Sequence, residues 1–279
     1  MSIVFEPSTH TYKSLIDPSK EWISATTLIS YFKQPFDKNT IAAKCSKNKK
    51  SKWYKMPVDE ILSAWKYEAD RSCDMGTWYH LQREQDVVNC ESIEYGGKIL
   101  KIVKPIEDET GLKIAPDQKI TDGIYPEHFV YLNSLGICGQ SDRVEVYDNF
   151  VTIVDYKTNR DISFNSYVNW EGASQKMRPP IDHLEDCNGI HYNLQLSLYM
   201  YMILKHNPQL KPGRLVIQHV IFEEEDQKDK YGYPIIKIID DTPIVKEIKT
   251  YTMPYLKEDI QKILKYYEVN KQTILNSKK

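Results

Sequence analysis

The feature that most constrains this chain is the run GQSDRVEVYDNFVTIVDYKT at residues 139–158. Two stretches of alternating apolar residues flank Asp148-Asn149, a pair that tolerates the positive φ of a tight turn, so the run predicts a hairpin of two antiparallel strands. With that turn, Tyr147 faces Phe150, Val146 faces Val151, Val144 faces Ile153, and Asp142 falls opposite Asp155. Side chains alternate along a strand, which puts Asp142, Val144, Val146, Val151, Ile153, Asp155 and Lys157 on one face. Facing carboxylates have Cβ atoms roughly 5 Å apart and repel unless a cation lies between them. A divalent ion is the simplest remedy.

Other polar residues gather around the hairpin. Residues 57–88 read as two helices separated near Cys73-Asp74, the first with Ile61, Leu62, Trp65 and Ala69 at helical spacing. The second places His80 and Glu84 one turn apart, and Gly76 a turn earlier, where the missing side chain admits another backbone. Residues 127–132 read as a strand that begins at Glu127 and leads through Gly136 into the hairpin. Downstream, a helix over 190–205, with Asn188 as its cap and Pro208 beyond its end, carries Gln195 and Tyr199 one turn apart beside a core face of Leu194, Leu198, Met202 and Ile203.

Asp142 followed by Asp155-Tyr156-Lys157 resembles the D…(D/E)-x-K signature of the PD-(D/E)XK nuclease superfamily. Gly139-x-x-Asp142, the VDYKT run, the G-x-x-x-H-x-x-x-E run from Gly76 through His80 to Glu84, and Gln195-x-x-x-Tyr199 are similar to its RecB-type branch, which includes the mitochondrial genome maintenance exonuclease and phage exonucleases. A SATTLI run from Ser24 resembles the entry helix of the same phage nucleases and reads equally well as an ordinary capped helix that Pro35 ends. The resemblance implies an α/β (α+β) fold with a restriction-endonuclease-like core, in which a central mixed sheet is flanked by helices and preceded by an N-terminal helical element. It implies Asp142, Asp155 and Lys157 as catalytic residues. It also implies one or two Mg²⁺ or Mn²⁺ ions bound by His80, Asp142, Asp155 and the carbonyl of Tyr156, and places Gln195 and Tyr199 against DNA or the nucleophile network. Glu127 matches the family's E-x-x-V run and is either near the metal or an edge-strand carboxylate without a chemical role. Glu84 reads as an orienting or salt-bridging partner.

The activity implied is that of a metal-dependent deoxyribonuclease leaving 5′-phosphate and 3′-hydroxyl ends. An exonuclease on single-stranded or frayed DNA ends in phage-type replication or recombination is the leading expectation. A structure-selective (flap) endonuclease of the same fold and a non-cleaving DNA-binding module are the alternatives. The expected partners are DNA and replication or recombination proteins.

Net charge is −2, so affinity for phosphate must come from a local cluster. One exists in KCSKNKKSKWYK at residues 44–55, where Lys47, Lys49, Lys50 and Lys52 can neutralise phosphates while Trp53 stacks on an unpaired base; a solvated loop between helices is the alternative. Cysteines at 45, 73, 90, 138 and 187 have no C-x-x-C spacing, which predicts reduced thiols and no iron–sulfur cluster. No apolar run is long enough for a bilayer, and MSIVFEPSTH lacks the basic and apolar regions of a signal peptide, so a cytoplasmic protein without a membrane partner is expected, in the host cytoplasm if viral.

A single domain over 1–279 follows, with 36–73 as a helical, basic, DNA-contacting element, 74–207 as the motif-bearing core and 208–279 completing it. In that last part 215–222 and 246–252 read as strands, with His219 a satisfied core or edge residue, and Pro254 opens a final helix through Leu256, Ile260, Leu264 and Tyr267. Residues 90–123 read as a variable excursion, and 159–187 as an insertion without a derivable role.

Overall fold

A computed structural model describes residues 3–6, 11–169 and 171–276; most of the MSIVFEPSTH stretch, namely Met1, Ser2 and residues 7–10, lies outside the described residues. In chain order the elements are β1 (Ile3–Glu6), β2 (Thr11–Ser14), β3 (Ile23–Ser24), α1 (Ala25–Tyr31), α2 (Lys38–Lys47), α3 (Val58–Val88), β4 (Ser92–Tyr95), β5 (Lys98–Lys101), β6 (Ile106–Glu107), β7 (Lys113–Ile114), β8 (Gly123–Leu132), β9 (Ile137–Tyr147) and β10 (Phe150–Lys157). There follow α4 (Asn188–His206), β11 (Lys211–Phe222), β12 (Glu224–Lys228), β13 (Pro234–Ile236), β14 (Ile238–Ile239), β15 (Thr242–Pro243), β16 (Val245–Met253) and α5 (Lys257–Asn276).

The hairpin folds in the expected register. Asp148 and Asn149 adopt φ of 52° and 63°, and Tyr147↔Phe150, Val146↔Val151 and Val144↔Ile153 pair as β9 and β10. Around them a mixed sheet runs in the order β16-β11-β10-β9, with β8 along the other edge of β9 and β3 beside its start. Strand β11 is parallel to β10, while β8 and β16 are antiparallel to their neighbours. The pairing of β9 with β10 is continuous to Arg143↔Val154, whereas β3 meets β9 at Ile137 and Cys138. Asp142 therefore stands at a fork where one strand edge passes from one partner to another.

One face of the sheet, with Val144, Val146, Val151, Ile153, Leu215 and Ile217, is covered by α1, α4 and α5 in the main core. Helix α4 is buried at Leu194, Leu196, Leu198, Met200, Met202 and Ile203, because the sheet lies on one side of it and α1 and α5 on others. Each such side chain contributes ~1.5–3 kcal/mol on burial, which fixes the height of Gln195 and Tyr199 over the sheet. Ser24 caps α1 as expected, its Oγ accepting from Thr27 N–H at 3.1 Å.

Two expectations about helices are corrected. Residues 58–88 form one continuous helix rather than two, with no break at Cys73-Asp74. A lone Gly76 costs only ~1 kcal/mol relative to alanine, and Met75, Trp78 and Tyr79 gain more by packing on Val154, Tyr156, Val216, Val220 and Phe222 of the opposite face. Asn188 does not cap α4; Cys187 holds that position without a side-chain hydrogen bond. The Asn188 amide instead accepts from Ser163 N–H at 2.8 Å and donates to Asp161 O at 2.8 Å, tying down the insertion. Further along that insertion, Asp186 collects Gln34 N–H, Gln175 and His191 at 2.6–2.8 Å, so the segment is sewn to the turn after α1 and to α4.

Candidate active site

The fork at Asp142 assembles the site. In the β8–β9 register Glu127 lies between Pro126↔Arg143 and His128↔Ser141, opposite Asp142, and one strand further on Asp155 follows the last β9–β10 pair. One rung thus carries an acid on each of three neighbouring strands. Where the β9–β10 ladder opens, the carboxylate of Asp142 replaces a main-chain carbonyl and accepts the Tyr156 N–H at 2.7 Å. From α3, His80 places Nδ1 3.3 Å from Asp142 Oδ1 and Nε2 3.1 Å from the carbonyl of Tyr156. Ligand atoms of His80, Glu127 and Asp142 all lie within 4.8 Å of one another.

Glu127 reaches this cluster at a conformational cost. Its φ is 47°, a left-handed conformation that non-glycine residues adopt rarely and that clusters at functional sites. Its own carbonyl is held by Gln140 Nε2 at 3.2 Å. Lys113 of β7 supplies the nearest counter-charge, 2.6 Å from Glu84 Oε1 and 3.9 Å from Glu127 Oε2. Glu84 is therefore the salt-bridging residue that the sequence implied.

Asp155 and Lys157 form an ion pair in which the carboxylate is 2% and the lysine side chain 17% exposed. The ammonium also sits 5.0 Å over the ring of Tyr192, whose hydroxyl is 3.2 Å from Asn159 Oδ1. Tyr192 lies three residues before Gln195 on α4. Gln195 Nε2 in turn donates to the Tyr199 hydroxyl at 3.0 Å. Gly139, at the head of the G-x-x-D motif, has its role here: a Cβ at this position would come within 2.5 Å of the Tyr199 ring. Gly76 acts similarly on α3, where a Cβ would lie 3.3 Å from Thr158 Oγ1, the residue after Lys157.

The electrostatics are those of a crowded anionic pocket. Burial raises Glu127, and the charge of Asp142 adds to it, carrying the carboxyl up to about 8. Burial also raises Asp155 to about 6, against the pull of Lys157. Asp142 is lowered despite its burial, because the charge and hydrogen bond of His80 favour its ionised form. Burial works against the His80 cation, but Asp142 and then Asp155 outweigh it and hold the imidazole up to about 9. The donor set fits a hard divalent cation: carboxylates converge with too few counter-charges, and an imidazole and a main-chain carbonyl border them. His80, Asp142 and Glu127, whose ligand atoms converge, would hold it with the Tyr156 carbonyl beside them, and neutral His80 ligation would release a proton. Asp155, which the resemblance also implied as a ligand, lies outside that convergent group and is paired with Lys157.

The predicted DNA-contacting residues divide. Lys47, Lys49, Lys50 and Lys52 are exposed, Lys47 ending α2 and the others in the turns that follow. Trp53 is corrected: only 7% exposed, it packs with Ala42, Ile61, Ala64 and Tyr233 and offers no face to a base. Tyr54, 38% exposed, is the ring of that loop that faces solvent. Tyr199 is corrected in the same way, being 3% exposed inside the main core, so its part is to position Gln195 and the β9 strand rather than to touch DNA. His219 is buried as expected but only half satisfied: its Nε2 lies 2.6 Å from Asn159 O, while its Nδ1 has no hydrogen-bond partner among the described residues.

Glu127's backbone, Lys113 and Tyr192 escaped the sequence reading. Tyr192 had a signal, since it shares a helix face with Gln195 and Tyr199. Lys113 had none, arriving from a segment whose local pattern says nothing of the site.

The profile of the PD-(D/E)XK nuclease superfamily matches residues 43–278, and the chain belongs to that superfamily. Nucleases of this superfamily act on DNA and typically use divalent metal ions. No curated protein matches the chain. Among solved structures, that of SSO0001 aligns over 87% of this chain and 73% of its own, at 12% identity and a TM-score of 0.31, too slight a likeness to argue from. No described helix is long and apolar enough to cross a membrane.

Proposed function

We propose that the protein is a Mg²⁺- or Mn²⁺-dependent deoxyribonuclease of the RecB-type branch, acting as an exonuclease on single-stranded or frayed DNA ends in phage-type replication or recombination. The observation that carries this reading is the rung of Glu127, Asp142 and Asp155, with Lys157 beyond it and His80 across from it. A divalent cation bound there supplies Lewis-acid stabilisation of the scissile phosphate and of the leaving oxygen. Asp155 and Tyr192 hold Lys157 where it can orient a water molecule and stabilise charge developing on the phosphate. Asp142 locks His80 and the Tyr156 amide, so that the groups around the phosphate are placed before the substrate arrives. Lys47, Lys49, Lys50 and Lys52 act as phosphate contacts in this reading.

Linear and closed-circular single strands, incubated side by side with Mn²⁺, test it. The reading expects the linear strand to shorten from an end while the circle survives. Cleavage of the circle would replace the exonuclease by an endonuclease of the same fold, and cleavage of neither would leave a DNA-binding module.

A further inference from the structure

The end of the catalytic strand opens onto a face that the site described above does not use. Past Lys157 the chain passes Thr158 and Asn159 to Arg160, which lies 5.0 Å over the ring of Tyr233 and 3.1 Å from Glu68 on α3. A cavity of about 140 Å³ begins at this exit, bounded by Thr158, Asn159, Arg160 and Arg71. Tyr233 is also capped by Lys52 of the basic loop, with Nζ 4.0 Å from the ring centroid. A residue in the turn between β12 and β13 therefore joins the catalytic strand's exit to the basic loop.

The same turn carries Lys230 and Tyr231. Tyr231 and Tyr67 of α3 approach to 5.5 Å between ring centroids, and Lys230 lies 4.9 Å from the first and 5.9 Å from the second. Tyr67 is 40% exposed and Tyr231 half-buried, so both present ring surface. The turn is held in place. Asp229 Oδ1 accepts the N–H groups of Tyr231 and Tyr233 at 2.9 and 2.8 Å, and Arg71 donates to Pro234 O at 3.0 Å.

Charge divides along this hairpin, acids at its base and lysines at its tip. Glu224, Glu225 and Asp226 occupy the base of this hairpin, while Lys228 and Lys230 occupy its tip. Glu68 is shared by Arg71 and Arg160, and one oxygen of Asp229 is taken up by the turn. Lys52 and Lys230 rest on aromatic rings and make no ion pair among the described residues. Cations seated over aromatic rings, two of which keep exposed surface, suit an unpaired nucleic acid strand, which needs phosphate neutralisation at one edge and sequence-tolerant stacking at the other.

We propose that the β12–β13 tip, Tyr67 and Arg160 form a track for the single-stranded part of the DNA substrate as it leads to the catalytic strand. Tyr67 and Tyr231 stack on unpaired bases, while Arg160, Lys52 and Lys230 meet the phosphates. This track rests on the nuclease reading and names the residues that would meet its unpaired strand.

The test uses the full chain in EDTA, measuring binding of a fluorescent oligo-dT, of a duplex of the same length and of an acidic peptide by anisotropy. Tyr67→Ala with Tyr231→Ala should weaken oligo-dT binding roughly tenfold or more, the size of one or two lost stacks, with little effect on the duplex. Tyr67→Phe with Tyr231→Phe should restore it. Lys230→Gln, at an exposed tip where folding is not at risk, should lower the slope of log affinity against log salt by about 0.7. Unchanged oligo-dT binding in the alanine pair and an unchanged slope in Lys230→Gln would overturn the track, as would an equal loss on duplex or peptide. A wild-type chain that cleaves DNA with Mn²⁺ while the variants bind as tightly as it does removes the track and leaves the nuclease. A wild-type chain that cleaves no DNA, while the alanine pair still loses oligo-dT binding, removes the nuclease and leaves the track on a DNA-binding module.

Discussion

Gly139→Ala is the perturbation whose size the structure fixes most closely. A methyl group there would meet Tyr199 Cε1 at 2.5 Å and Cζ at 3.1 Å, against about 3.5–4.0 Å for an ordinary carbon contact. An overlap of about 1 Å must be absorbed by a ring that is 3% exposed and walled in by the main core. Overpacking of a close-packed interior costs about 1–3 kcal/mol, and this overlap belongs at the upper end. For a chain of this size each kcal/mol moves the melting temperature by about 2–4 °C, so Gly139→Ala should melt roughly 5–10 °C below wild type. The second variant is Tyr199→Leu, which vacates the space. On its own it is destabilising, but the double variant should be more stable than the sum of the single changes predicts, by about 1–2 kcal/mol. Thermal and urea unfolding followed by circular dichroism measure the melting shift and the free energies of all three. A Gly139→Ala chain that melts with wild type, or a strictly additive double variant, would refute the idea that the glycine of G-x-x-D exists to admit the tyrosine of Q-x-x-x-Y.

Two further predictions concern burial and pH. Trp53→Ala should cost about 3–5 kcal/mol in a urea titration, because it empties a core position, whereas Tyr54→Ala in the same loop should stay within about 0.5 kcal/mol. Burial pushes His128 down to about 4. A histidine depressed in the folded state contributes stability that is complete above its unfolded value of about 6.5 and is lost as pH falls toward the folded value. Wild type should therefore lose about 2 kcal/mol more than His128→Phe between about pH 7 and about pH 4.5, and equal losses would show that His128 takes up its proton without unfolding.

The site was legible where local chemistry dictates geometry. The Asp148-Asn149 turn and the two-residue period of the flanking strands set the register as far as Arg143↔Val154, and with it the places of Asp155 and Lys157 along β10. The Asp142 carboxylate, expected opposite Asp155, instead lies beyond the last pair and is held by the Tyr156 N–H and by His80 of α3. The one-turn spacings of His80 with Glu84 and of Gln195 with Tyr199 were equally readable, because helix geometry is local. What depends on partners far away in the chain was not. Trp53 stands in a run of lysines and reads as surface, but Tyr233 returns from the β12–β13 turn to cover it. The continuity of α3 across Gly76 is decided by the sheet face beneath it, and Asn188 is drawn from its cap position by Asp161 and Ser163. Lys113 pairs with Glu84 only because β7 is brought beside α3.

The central claim is that acids on three adjacent strands, with Lys157 beside them, form a cation-dependent phosphodiester-cleaving centre. End-labelled linear single-stranded DNA, incubated with Mn²⁺ and with wild type, Asp155→Ala or Lys157→Ala, tests it most directly when each protein's melting is recorded alongside. The account predicts that wild type shortens the DNA, that EDTA stops it, and that both variants fold cooperatively but leave the label intact. Full cleavage by either folded variant, or by wild type in EDTA, would contradict it.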